Sequence, residues 1–338
     1  MALLFFIGWV WVLASGGAWA KATTKAVVLF GDSYTDQSRQ HSIQNGSFPG
    51  KDYQEIFPPA DTAADGGVQW PWYLGLYGNY TIWNYATGGS VCSNDLTPIN
   101  APADVIGVQA GWFIQDHVVF NGTKKQKLDM DPDEFVVIVF IGTNDVGLNS
   151  FVTDGESPAV SLVDLAHCQL QQLRNLFALG ARRFIVNSLI PLELTRLYSN
   201  SSDPTIYFSA PHDGVAWNKR MFNFVHTMNA LLRSGVSALR AEWGNLATIN
   251  MFDTYGFFEE MYNNPAKFFN GSIPANVTGH CHQCPDPNDF TQCGIGDCTL
   301  AQRDSYMWWD ELHPSEQTGR NLAMETFKAL TGRSKYLS

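Results

Sequence analysis

Val27-Val28-Leu29-Phe30-Gly31-Asp32-Ser33-Tyr34 is the stretch on which the reading of the fold turns. Four apolar, strand-favouring residues run into Gly, then Asp and Ser. That is the pattern of a buried strand ending in a tight turn, with a serine presented where strand gives way to helix. A serine so placed has its own N–H, and the positive end of a following helix, aimed at whatever it meets. The plainer alternative is a helix N-cap after a parallel strand.

Outward from this stretch, apolar runs recur and end in small or polar residues. Thr81–Ala86 reads as a strand leading to Gly88-Gly89. Phe135–Ile141 is apolar throughout, as a parallel strand buried on both faces must be, and it leads to Gly142-Thr143-Asn144-Asp145. Phe184–Ile190 and Leu246–Phe252 complete five strands. Between them, helical spacing is read over Trp70–Tyr77, 104–119, Val160–Leu179 (stopped by Gly180), 215–242 and about 315–330. Strand and helix alternate, which predicts one doubly wound, mostly parallel five-stranded α/β sheet with helices on both faces. In such sheets the ligand crevice lies at the carboxyl ends of the strands, so Ser33, Gly89 and Asn144 should converge there. Long loops are expected at about 41–69 and 270–303. No internal repeat or linker appears, and residues 21–338 are expected to form one domain.

Residues 1–20 lack Asp, Glu, Lys and Arg and end in Ala18-Trp19-Ala20, which reads as a secretory signal peptide. No basic residue follows Met1, so an uncleaved anchor is the alternative; no later run is long enough to span a bilayer. Six sequons, at Asn45, Asn79, Asn121, Asn200, Asn270 and Asn276, are candidate glycosylation sites. The six cysteines, Cys92, Cys168, Cys281, Cys284, Cys293 and Cys298, suit disulfides in an oxidising compartment. A secreted, extracellular monomer is the expectation. The net charge of −11 argues against nucleic acid and anionic membranes as partners, both being polyanions.

Near the C-terminal end lies Trp308-Trp309-Asp310-Glu311-Leu312-His313-Pro314. In a helical turn Asp310 and His313 would share a side, and the carboxylate could hold one imidazole nitrogen while the other acts as a base. The alternative is a surface Asp/His pair before a final helix. Gly31-Asp32-Ser33, Gly89, Gly142-Thr143-Asn144-Asp145 and Asp310-x-x-His313, in that order and spacing, resemble the four sequence blocks of the SGNH/GDSL hydrolases. The resemblance runs from residue 26 to about 330 and implies that family's three-layer, flavodoxin-like α/β/α fold.

It further implies Ser33 as nucleophile, His313 as base and Asp310 as its orienting acid. The N–H groups of Ser33 and Gly89 and the amide of Asn144 would form an oxyanion hole, with Gly88 as the alternative to Gly89. The chemistry itself asks for these types: a hydroxyl nucleophile needs a base in reach, and the intermediate needs fixed donors. Asp32 and Asp145 are read as turn-holding carboxylates.

His280, His282 and the neighbouring cysteines look like a metal site, but in an oxidising compartment disulfides pinning the loop are the better reading. Neither metal nor cofactor is expected. Among the tryptophans, Trp308 and Trp309 stand beside the expected base and are candidate substrate-stacking residues. The long block forms resemble the secreted fungal GDSL esterases, including the acetylesterases of carbohydrate esterase family sixteen. That resemblance implies acetyl removal from plant cell-wall oligosaccharides. A lipase or phospholipase acting on longer chains is the first alternative. A catalytically silent carbohydrate-binding protein on the same fold is the second.

Overall fold

The computed structural model describes residues 24–37, 63–99, 103–121 and 125–338. Met1–Ala20, Asn45, the side chain of Asn121 and most of the loop expected at 41–69 lie outside the described residues.

Five strands form the central sheet: β1 (Ala26–Gly31), β2 (Thr81–Asn84), β3 (Phe135–Phe140), β4 (Arg183–Asn187) and β5 (Thr248–Phe252). Their spatial order is β2-β1-β3-β4-β5, and every pairing is parallel. This is the flavodoxin order, whose strand sequence reverses between β1 and β3. Val27 through Phe30 and all of β3 are buried, which is why these strands read as unbroken apolar runs.

Helices cover both faces as a three-layer α/β/α stack. They are α1 (Trp70–Gly78), α2 (Ala110–His117), α3 (Leu162–Leu179), α4 (Gly214–Trp243), α5 (Thr254–Asn263) and α6 (Glu316–Leu330). α1 packs on α6, and α3 on α4. Pro71 opens α1, and Asn79, in the left-handed region at φ 50°, closes it. Among the described residues no helix is long and apolar enough to cross a membrane.

Three expectations need correction. The helix read over 104–119 is divided: Asp104 accepts from the N–H groups of Gly107 and Val108 and caps a wide turn, Val105–Gln109, ahead of α2. Val118–Asn121 then leaves the helix to pair antiparallel with Lys125–Leu128, as its β-branched residues favour. The loop at 270–303 is partly regular, because Asn276–His280 pairs in parallel with Tyr306–Trp308. Helix α5 has no counterpart in the sequence reading. Its signals are Asp253, whose carboxylate accepts from the Gly256 N–H, and the buried Phe257, Phe258 and Met261.

The six cysteines form three disulfides: Cys92–Cys168, Cys281–Cys298 and Cys284–Cys293. The first ties the loop after β2 to α3 and closes a loop of 76 residues. Cross-links of that span remove much freedom from the unfolded chain. A Cys92→Ala/Cys168→Ala variant is expected to lose about 2–4 kcal/mol of stability. Urea unfolding followed by tryptophan fluorescence should show an earlier midpoint; an unmoved midpoint would remove this cross-link from the account of stability.

Candidate active site

Each part of the site hangs from the carboxyl end of a strand. After β1 the chain turns at once, with the N–H groups of Thr35 and Asp36 both bonding the Asp32 carbonyl at 2.9 Å. Gly31 is required here by close approach: a Cβ would lie 2.5 Å from the Phe140 carbonyl oxygen of β3. Ser33 therefore stands on a tight turn rather than on a described helix. Buried Gln109 locks that strand end. Its Oε1 accepts the Gly31 N–H (3.1 Å), while its amide donates to the Gly31 and Ala103 carbonyls and to Ser90 Oγ. Nothing in the sequence marked Gln109, because its partners are remote along the chain.

The loop after β2 turns on Gly89, at φ 75°, in the region that glycine favours. A Cβ there would meet nothing within 4 Å, so the position faces open space. The N–H of neighbouring Gly88 is already given to Asp36 Oδ2 at 2.8 Å. Asn144 follows β3 and donates to the Ser90 carbonyl at 2.8 Å. One hydrogen of its amide remains for the cleft. Asp32 and Asp145 hold turns as expected: Asp32 accepts from the Tyr34 N–H, and Asp145 from the Cys92 N–H.

The last part comes from the bend between the short strand Tyr306–Trp308 and α6. Asp310 and His313 meet there without a helical turn. Instead, Asp310 Oδ1 accepts the backbone N–H groups of Leu312 (2.8 Å) and His313 (2.7 Å), curling the chain around its own carboxylate. His313 Nδ1 lies 2.9 Å from Asp310 Oδ2, and His313 Nε2 lies 2.9 Å from Ser33 Oγ. Tyr34 supports the bend from below, donating to the Leu312 carbonyl at 2.9 Å and packing edge-on to the imidazole.

Burial pushes the His313 imidazole down, but the charge and hydrogen bond of Asp310 outweigh it and hold the pKa above the ordinary value. Asp32 and Asp65 add to this only in part, since burial pushes both of them up to about 7. Asp145 is pushed up to about 7 for the same reason. Asp310 also suffers burial, yet the opposing charge of His313 and the surrounding donors keep it low.

These groups open on a cleft of about 390 Å³ whose walls include Ile99, Leu148, Leu197, Tyr198 and Tyr207. Among the described residues, its lining carries no Asp, Glu, Lys or Arg. A larger groove, about 690 Å³, lies over α3 and α4; among the described residues its Ser93 and His167 share no hydrogen bond.

Trp308 and Trp309 are not brought to this cleft, contrary to expectation. Trp308 is buried, donates from Nε1 to the Val277 carbonyl and packs near Phe258, so it anchors the bend. The ring of Trp309 stacks on His282 and has Arg303 over it, which engages it within the fold. In the cysteine loop, Cys284 and Cys293 lie near His282 but are bonded to each other, which withdraws their thiolates from any ligand set. Of the sequon asparagines, Asn79, Asn200 and Asn270 are exposed; Asn276 is half-buried and its side chain accepts from the N–H groups of Thr278 and Gly279.

A hydroxyl, an imidazole and a carboxylate in line, at the carboxyl ends of a doubly wound sheet, is the layout of an α/β ester hydrolase. The chain belongs to the GDSL-like lipase/acylhydrolase family, whose model matches residues 27–326, and with it to the carboxylic ester hydrolases. It is 28% identical to an acetylesterase of Hypocrea jecorina, over 92% of this chain and 90% of that protein. It is 24% identical to an acetylesterase of Thermothelomyces thermophilus, over 95% of each. A solved structure of a catalytic mutant of an acetylxylan esterase from Geobacillus stearothermophilus covers 93% of this chain and 96% of its own, at 12% identity and a TM-score of 0.46.

The electrostatics yield a direct check. Titration of the His313 ring protons by NMR should give a pKa above the ordinary imidazole value. An Asp310→Asn variant should lower it, because the largest opposition to burial is then gone. Equal titrations in both proteins would mean that Asp310 does not set the state of His313.

Proposed function

We propose that this protein is a secreted, glycosylated serine esterase, folded as a single hydrolase domain, that removes short acyl groups, acetyl foremost, from neutral plant cell-wall oligosaccharides. The observation carrying the chemistry is the 2.9 Å approach of His313 Nε2 to Ser33 Oγ, with Asp310 behind it. Neutral His313 takes the Ser33 proton as Oγ attacks the ester carbonyl carbon. The N–H groups of Ser33 and Gly89 and the Asn144 amide receive the developing oxyanion; such donors are each worth roughly a hundred- to a thousand-fold in rate. Collapse breaks the bond to the alcohol, which leaves with the proton from Nε2. Water then attacks the acyl-serine with His313 again as base, and the acid is released.

The acetyl reading rests on the two fungal acetylesterases, matched along at least nine-tenths of both chains. Among the described residues the cleft walls carry no Asp, Glu, Lys or Arg, which suits a neutral ester. Secretion and glycosylation are supported by the character of residues 1–20, the three disulfides and the exposed sequons. A lipase reading draws on the aliphatic walls, Ile99, Leu148 and Leu197.

Acid release from acetylated xylo-oligosaccharides, with the Ser33→Ala protein as blank, tests this function. We expect Ser33-dependent acetate and, across p-nitrophenyl esters, rates that fall as the acyl chain lengthens. Rates that climb once a long-chain ester aggregates would favour the lipase. Turnover should fall on the order of a million-fold in Ser33→Ala, as in other Ser/His enzymes. Ordinary activity in that variant would place the nucleophile elsewhere.

A further inference from the structure

Tyr207 is assigned no role by the four sequence blocks, yet its hydroxyl sits inside the acid–base pair. It donates to Asp310 Oδ2 at 2.6 Å, and the same oxygen lies 3.0 Å from His313 Nδ1. A phenol has one proton. Because the base-competent imidazole carries its own proton on Nδ1, the phenolic proton belongs to the carboxylate, and Nδ1–H faces both Asp310 and the tyrosine oxygen. The ring is also part of the cleft wall.

Its position is fixed from the same bend. Glu311, next after Asp310, accepts the Ile206 N–H through Oε2 (2.6 Å) and the Leu197 N–H through its carbonyl (2.9 Å). A tight turn, with Thr205 and Phe208 bonded to each other through their backbones, then aims the side chain inward.

We propose that Tyr207 is a positioning residue of the esterase, whose hydroxyl holds the Asp310 carboxylate and the imidazole plane in line with Ser33. This rests on the hydrolase reading of the same site. A hydrogen bond to the charged carboxylate shares its negative charge, so imidazolium is held less tightly and the base is regained at lower pH. The other groups facing the pair are Asp32, Asp65 and Tyr34 on the β1 side, Glu311 with Arg196 beside the bend, and His280 across it. None of them changes in a Tyr207→Phe protein, so a difference from wild type reports the hydroxyl alone.

The experiment is the pH dependence of kcat/KM on p-nitrophenyl acetate for wild type, Tyr207→Phe and Ser33→Ala, after thermal melts show that each is folded. In Tyr207→Phe we expect kcat to fall about ten- to a hundred-fold, the loss of one hydrogen bond to a charged group. KM should hold within about two-fold, and the acid limb should move to higher pH. An acid limb that superimposes on wild type, or a loss confined to KM, would overturn the proposal and leave Tyr207 as cleft wall only. If the phenylalanine protein does not fold, Tyr207→Leu is expected to show the same move of the acid limb, with KM also raised by the loss of the ring from the cleft wall. Activity that survives Ser33→Ala has a different signature: it sinks the hydrolase reading itself, and this assignment with it.

Discussion

A charged carboxylate removed from water survives only when donors surround it, and Asp310 is buried to 6% exposure. It gathers four: two backbone N–H groups of its own bend, the imidazole of His313 and the hydroxyl of Tyr207. The shape of the region follows from meeting that need. Leu312 and His313 must curl back over the carboxylate. Trp308, anchored to Val277, must hold the start of the bend still, and the segment from Leu197 to Phe208 must lie close enough to deliver a phenol. A buried charge that would unfold a poorly arranged chain here dictates where the base points.

The same economy operates at the strand ends. Parallel strands stop with unpaired backbone groups at one edge of the sheet, and the strand order reverses between β1 and β3, opening a crevice there. Gln109, Asp36, Asp145 and Asn84 satisfy loop groups at that edge from buried side chains. What they leave unsatisfied is informative. Among the described residues, none accepts the N–H of Ser33 or Gly89, and these are the donors that open on the cleft. The scaffold thus leaves these two N–H groups free by engaging their neighbours.

The sheet and the meeting of Ser33, His313 and Asp310 were legible because each rests on local chemistry. A strand buried on both faces must be apolar throughout, as Phe135–Phe140 is, and its end must be small or polar where the crevice begins. Tyr207, Gln109 and Asp36 were not legible, since each acts on residues dozens to a hundred positions away and belongs to no pattern. Trp308 and Trp309 misled for the converse reason. Nearness in sequence to His313 suggested contact with substrate, whereas the bend turns one indole into the core and the other against His282. The antiparallel hairpin at 118–128 was hidden because Val118 and Val119 continue a helical spacing that Asp104 had already interrupted.

Asp32, Asp65 and Asp145 give the molecule a conflict between folding and chemistry. Each is held near 7 in the folded state against an unfolded value near 3.8, so each favours the fold fully below that lower value. That contribution is lost as pH rises through about 7. His313, also raised, acts in the same sense. The proposed reaction needs the opposite, a deprotonated imidazole. Rising pH therefore withdraws the contribution of these three buried carboxylates over the range in which His313 gives up its proton.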